Sequence, residues 1–167
     1  MSNNKRTKQW IVNAVVAAIY VVLTGAFSWM SFGVVQFRLS EILNHLAVFN
    51  KKYIIGIVAG VFISNLLFSP SVLLDILFGS AHTLLALLAM RFLTKNMTKI
   101  MPKMLVNTLM FAVFSFIIAA ELHLAFGMPF WFSYFTVALG EVVVMLVGVP
   151  IMKLLNGYID FNQQMED

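Results

Sequence analysis

The stretch Trp10 to Val35, WIVNAVVAAIYVVLTGAFSWMSFGVV, runs for 26 residues without a charge. A helix of ~20 apolar residues crosses the ~30 Å hydrocarbon core of a bilayer, so this run holds one crossing and a loop. A cleavable signal peptide has an apolar core of only ~7–15 residues, so the run reads as a retained span. The rest of the chain continues the pattern. Of its 167 residues 61% are hydrophobic and 11% charged, with a mean hydropathy of +0.92. A soluble domain carries ~25% charged residues to keep its surface wet. The shortfall excludes a soluble enzyme, a nucleic-acid module and a disordered chain, despite a pI near 9.5. The chain has no cysteine, which excludes disulfides, thiolate metal sites and thiol catalysis.

Charges and turn signals divide the chain further. Ser69-Pro70 interrupts one apolar run, because proline disrupts a continuing helix, and Gly127-Met128-Pro129 marks a turn. The division predicts a single all-α membrane domain over residues 1–167, with six helices near 10–29, 38–50, 53–69, 72–93, 103–125 and 130–155. The second is the shortest and carries Glu41, Asn44 and His45. Short cytoplasmic loops collect Lys and Arg. Lys5, Arg6 and Lys8, then Lys51 and Lys52, then Arg91, Lys95, Lys99 and Lys103, and finally Lys153 all share one side if both termini are cytoplasmic. Only Arg38 falls on the other. Outer loops are expected near 30–37, 69–72 and 126–130, and the polar tail from Asp160 is expected to fray.

The informative residues are those that lipid should not tolerate. A charge at the bilayer centre costs at least ~2.5–3.5 kcal/mol, so such groups face a cavity or a partner. Arg38, Glu41 and His45 at i, i+3 and i+7 share one face of an α-helix. The pair Arg38–Glu41 either neutralises itself or faces a ligand, and His45 has the ordinary reading of a packing histidine. Asp75 and His82 share a face of the fourth helix; Asp75 near its start also suits an N-terminal cap. Glu121 lies at the outer end of the fifth helix, and Glu141 near the midplane by the ~1.5 Å rise per residue. Four acids (Glu41, Asp75, Glu121, Glu141) stand against one local cation, Arg38. That imbalance suits a ligand that is cationic or rich in hydrogen-bond donors. Trp29, Phe37, Phe130, Trp131 and Phe132 flank the outer loops, as an interfacial aromatic belt or as walls for a flat ring.

Small residues let helices approach closely. Gly56 and Gly60 read as packing inside the bundle, while Ala14 and Ala18 are offered to another membrane subunit. The chain has no Walker loop, so ATP hydrolysis is not its own. It has neither a Gly-x-Ser-x-Gly elbow nor a His-Glu-x-x-His helix, and no clustered His ligands for a metal.

Four blocks carry a resemblance: Gln36-Phe37-Arg38-Leu39-Ser40-Glu41; Asn65-Leu66-Leu67-Phe68-Ser69-Pro70; Leu73-Leu74-Asp75-Ile76-Leu77-Phe78-Gly79-Ser80; and Glu121 through Trp131 with Gly140-Glu141 and Pro150. Together they resemble the QueT family over nearly the whole chain. The resemblance implies a substrate-binding S component of an energy-coupling factor (ECF) transporter for queuosine precursors, in the bacterial plasma membrane. It implies a six-helix bundle that binds its solute near the outer face and docks on a transmembrane T component through an Ala-x-x-x-Ala surface, matched here by Ala14 to Ala18. Two cytoplasmic ATPases would supply the energy, and the chain itself would be no enzyme and need no cofactor. A deazaguanine base offers N–H donors that carboxylates accept and a flat ring that aromatic walls stack. The expected ligand residues are Glu141, Glu121, Asp75, Glu41, Arg38, Trp131 and His82. Rival readings are an S component for another vitamin-like solute, an intramembrane enzyme using Glu141 and His82, and a structural subunit without a ligand.

Overall fold

In a computed structural model that describes residues 2–32 and 36–166, the first apolar run forms helix α1 (Ser2–Ala26), followed by the short α2 (Ser28–Ser31). The chain returns through an extended strap, Gln36–Arg38, a 3-10 helix (Leu39–His45) and the one-turn α3 (Leu46–Phe49). A 3-10 turn at Lys51–Tyr53 leads into α4 (Ile54–Phe68), then α5 (Val72–Leu93), α6 (Ile100–Phe114), α7 (Phe116–Phe126), α8 (Phe130–Ile159) and α9 (Phe161–Glu166). Among the described residues there is no strand. Residues 33–35 of the expected first outer loop lie outside the described residues.

Five stretches are long and apolar enough to cross a membrane: Asn4–Ala26, Lys51–Phe68, Val72–Leu93, Ile100–Phe126 and Phe130–Ile159. The expected second spanning α-helix is instead mostly 3-10, and too short to count among them. The fifth is broken in two at Ser115. There the carbonyl of Phe111 accepts both the backbone N–H and the hydroxyl of Ser115, a back-bond that bends helices. The last runs to Ile159, past the expected end, and carries Pro150 inside it.

Helix α4 lies alongside α1 and points the same way. A Cβ on Gly56 would come within 2.7 Å of Asn13, one on Gly60 within 2.7 Å of Tyr20, and one on Gly25 within 2.6 Å of Phe68. These pairs climb both helices together, so the chain must travel back between them. The strap, 3-10 helix and α3 make that return, spanning roughly 30 Å at ~3.3, ~2.0 and ~1.5 Å per residue. The Asn13 amide fastens the crossing: its Oδ1 accepts the Gly56 N–H at 2.8 Å, and its Nδ2 donates to the Gln9 carbonyl at 2.9 Å.

Apolar side chains face outward as well as inward. Leu73, Leu77, Phe92, Leu124, Leu139 and Leu154 are exposed, while Asn13, Thr24, Asn44, Asn65, Asn107 and Glu121 are buried. In water that arrangement would be ruinous; in lipid it hides the polar groups from hydrocarbon. A packed core of Tyr20, Tyr53, Ile57, Met90, Met104, Phe111 and Met145 fills the rest.

The C-terminal tail does not fray. After Asp160, whose φ is +48°, α9 turns back under the bundle and buries Phe161 and Met165. Tyr53 donates to the Phe161 carbonyl at 2.9 Å, Asn50 to Asn162 at 2.9 Å, and Gln9 and Lys52 both donate to the Met165 carbonyl. Two apolar anchors in a polar tail were enough to order it. The same contacts place both ends of the described chain on one side of the bundle.

Candidate functional site

The 3-10 winding decides the site. In such a helix side chains at i and i+3 eclipse, so Glu41 and Asn44 stand in one file, and Arg38, the extended residue before the helix, reaches its start as the ion-pair partner of Glu41. The α-helical expectation of a shared face for Arg38, Glu41 and His45 is thereby corrected. His45 turns away: its Nε2 donates to the Met145 carbonyl at 2.9 Å, which leaves Nδ1 to accept from Asn107 Nδ2 at 3.3 Å. Its role is packing.

Within the file, Glu41 is 2% exposed and fully engaged. Tyr20 donates its hydroxyl to Oε1 at 2.9 Å, and Asn44 donates its side-chain amide to Oε2. Arg38 approaches Oε1 only at 3.9 Å, an ion pair without a hydrogen bond. Its guanidinium lies over the Phe32 ring, 5.0 Å from the centroid, and among the described residues it donates no hydrogen bond. Neighbouring Ser40 bonds Thr24 at 2.7 Å, tying the file to α1.

Three more acids are drawn toward Arg38 from other helices. Glu141 on α8 interacts electrostatically with both Arg38 and Glu41, and Asp75 on α5 with Arg38. Glu121 on α7 interacts electrostatically with Asp75 and with Arg38. All three carboxylates are buried. Asp75 does not cap its helix. It accepts the Ser69 hydroxyl, whose oxygen in turn accepts the Ser71 N–H at 2.9 Å, closing the Ser69-Pro70-Ser71 turn. The strap seats on α8 next to Glu141. A Cβ on Gly140, the residue before Glu141, would overlap the Gln36 carbonyl, so only glycine lets the strap lie on α8 there.

Unmet hydrogen-bonding capacity shows what the cluster lacks. Buried atoms without a partner include Oε2 of Glu121 and of Glu141 and the Oδ1 atoms of Asn44, Asn65 and Asn107. Their amide orientations are fixed, since each Nδ2 faces an acceptor: Glu41, the Asp75 carbonyl and the Asn44 carbonyl respectively. The remaining orphans, Ser64, Ser80, Thr83 and Ser133, are hydroxyls that can donate or accept. Beside an Arg38 with donors to spare, the cluster asks for N–H groups and one acceptor.

Two expected ligand residues carry further contacts, and His82, like the acids, also interacts electrostatically with Arg38. His82 Nε2 donates to the Phe111 carbonyl at 3.1 Å, with its ring edge-on to Phe111 at 5.3 Å. Trp131 is 68% exposed, and its ring contacts are with Phe130, Tyr134 and Phe135, an arrangement suited to an interfacial belt. The sequence reading missed Tyr20, Asn65 and Asn107 and gave Asn44 no role; an asparagine in an apolar run was the available signal. Among the described residues no group of acids and histidines could hold a metal.

Ala14 and Ala18 are exposed on α1. With Trp10, Val21, Ile55, Ala59 and Ile63 they line a shallow apolar groove of about 520 Å³ between α1 and α4. The groove contains none of the buried acids.

Residues 10–157 match the family model described as QueT transporter. The chain is 35% identical over 167 residues to the queuosine precursor transporter QueT of Lactococcus lactis subsp. cremoris (strain MG1363), covering 95% of this chain and 98% of that protein. No solved structure matches it.

Proposed function

The chain belongs to the QueT transporter family, and we propose that it is the substrate-binding S component of an ECF transporter, capturing a queuosine precursor from outside the cell. It is a multi-pass membrane protein with no enzymatic activity of its own. In this reading it crosses six times with both termini cytoplasmic. Parallel α1 and α4, the strap and 3-10 segment between them, and chain ends on one side support an even number of crossings. The placement of Lys and Arg supports the orientation.

The observation that carries the substrate assignment is the unmet acceptors beside an unspent Arg38. A deazaguanine ring presents a carbonyl next to a ring N–H and an exocyclic amine. Arg38 donates to the carbonyl, and Glu141 and Glu121 accept N–H groups. The protonated amine of an aminomethyl precursor faces Asp75 and Glu121, two buried carboxylates that interact electrostatically. Such charge-assisted bonds are about twice as strong as neutral ones.

Ala14 and Ala18 form the docking face for the T component, where small side chains permit close helix contact. ATP hydrolysis belongs to two partner ATPases. Calorimetry of the purified chain with an aminomethyl-deazaguanine tests the capture step. Saturable binding with one ligand per chain is expected, and no heat at micromolar concentrations would overturn the reading. A thermal-shift screen of other vitamins separates the rival solutes, because a bound ligand stabilises in proportion to occupancy.

A further inference from the structure

Glu41 is the acid in the 3-10 file whose oxygens are both taken, and Asn44 is the residue it holds. The Asn44 side chain is fully buried, 0% exposed. Its Nδ2 is spent on Glu41 and its backbone carbonyl accepts Asn107 Nδ2 at 3.2 Å. Its Oδ1 has no partner. An amide nitrogen and oxygen lie at opposite corners of one rigid plane, so fixing the first on Glu41 also fixes the direction of the second. A buried amide oxygen left unpaired costs ~1–3 kcal/mol. That cost is relieved when an N–H arrives.

We propose that Asn44 is a specificity-determining residue of the ligand site, its Oδ1 accepting the exocyclic amine of the ring, and that Glu41 is a positioning residue that aims it. This rests on the reading of the site as one for a deazaguanine. Arg38 and the file then read donor, support, acceptor: Arg38 for the ring carbonyl, Glu41 behind, and Asn44 for the amine. A neutral amide suits an uncharged aromatic amine, while the carboxylates of Glu141 and Glu121 remain for groups that carry or share positive charge. A site built to bond an N–H rejects an analogue lacking it, because its own buried acceptor is then left bare.

The test compares two ligands by calorimetry on the full-length purified chain: the aminomethyl-deazaguanine, and the analogue in which hydrogen replaces the exocyclic amine. Wild type should prefer the amine ligand at least tenfold. Asn44→Ala should weaken the amine ligand by more than fivefold and leave the analogue unchanged, erasing the preference. Glu41→Ala should erode the same preference, and the double variant should lose no more than either alone, the non-additivity expected of residues acting as a unit. Asn44→Ser replaces Asn44→Ala if the latter does not survive purification. Equal weakening of both ligands by Asn44→Ala, or an intact preference, would overturn the assignment while sparing the capture reading. Wild type that binds neither ligand would bring down both.

Discussion

The Tyr20 hydroxyl donates to Glu41 Oε1 at 2.9 Å, joining the C-terminal third of α1 to the 3-10 segment. Both side chains are buried, so neither can trade this bond for water. Tyr20→Phe removes the donor and leaves the carboxylate oxygen with Arg38 at 3.9 Å alone. A hydrogen bond to a charged group contributes ~1.5–3 kcal/mol, and a loss of stability of that order is expected in thermal unfolding of the purified protein. An unchanged melting temperature would mean that the bond adds nothing.

Glu141 has an unpartnered buried oxygen. Glu141→Gln keeps its size and replaces an acceptor with a donor. It should weaken deazaguanine binding more than about tenfold, ~1.4 kcal/mol, as read by calorimetry. Unchanged affinity would remove Glu141 from the site.

Gly140 gives the strap its seat, with the Gln36 carbonyl pressed where a side chain would stand. Gly140→Val should displace Gln36–Arg38, carrying the Arg38 guanidinium away from the acids. The expected outcome is loss of binding by an order of magnitude or more, with helix content by circular dichroism unchanged. Wild-type affinity in this variant would show that the strap need not rest on α8.

Ala14 and Ala18 face outward from α1, away from the buried cluster. Bulky residues at both should leave ligand binding intact and abolish uptake by cells, because close helix contact is blocked. If uptake persists, docking lies on another face.

Truncation after Asp160 removes Phe161 and Met165 from beneath the bundle. Burial of such side chains contributes ~1.5–3 kcal/mol each, so the truncated chain should melt measurably lower, while full-length chain resists proteolysis of its last residues. Equal melting temperatures would return the tail to the frayed end that its polarity suggested.

That tail shows where sequence reading stops. Its composition is polar, and only the fold reveals that Tyr53, Gln9, Asn50 and Lys52 wait to receive it. The 3-10 segment is the same lesson within the site. The acids were visible as interruptions of apolar runs, and all four are buried, Glu41 beside Arg38. Which neighbour completes the file depended on winding, and the exchange of His45 for Asn44 follows from a turn of 3.0 rather than 3.6 residues. Nothing local in Leu39–His45 announces the tighter turn.

Hydropathy and charge are summed along a contiguous stretch, so the sequence by itself determined the lipid solvent, the long helices, the turns at Ser69-Pro70 and Gly127, and the inventory of intolerable polar groups. Tertiary structure alone decided which of those groups are satisfied. Whether Glu41 is spent and Glu141 is not depends on how α1 and α8 meet the 3-10 segment, which brings Tyr20 and Asn44 to Glu41, and the register of those helices is set by close contacts such as Asn13 on Gly56 and Gln36 on Gly140. A hydrogen bond tolerates only a few tenths of an ångström, a precision fixed by packing across the bundle.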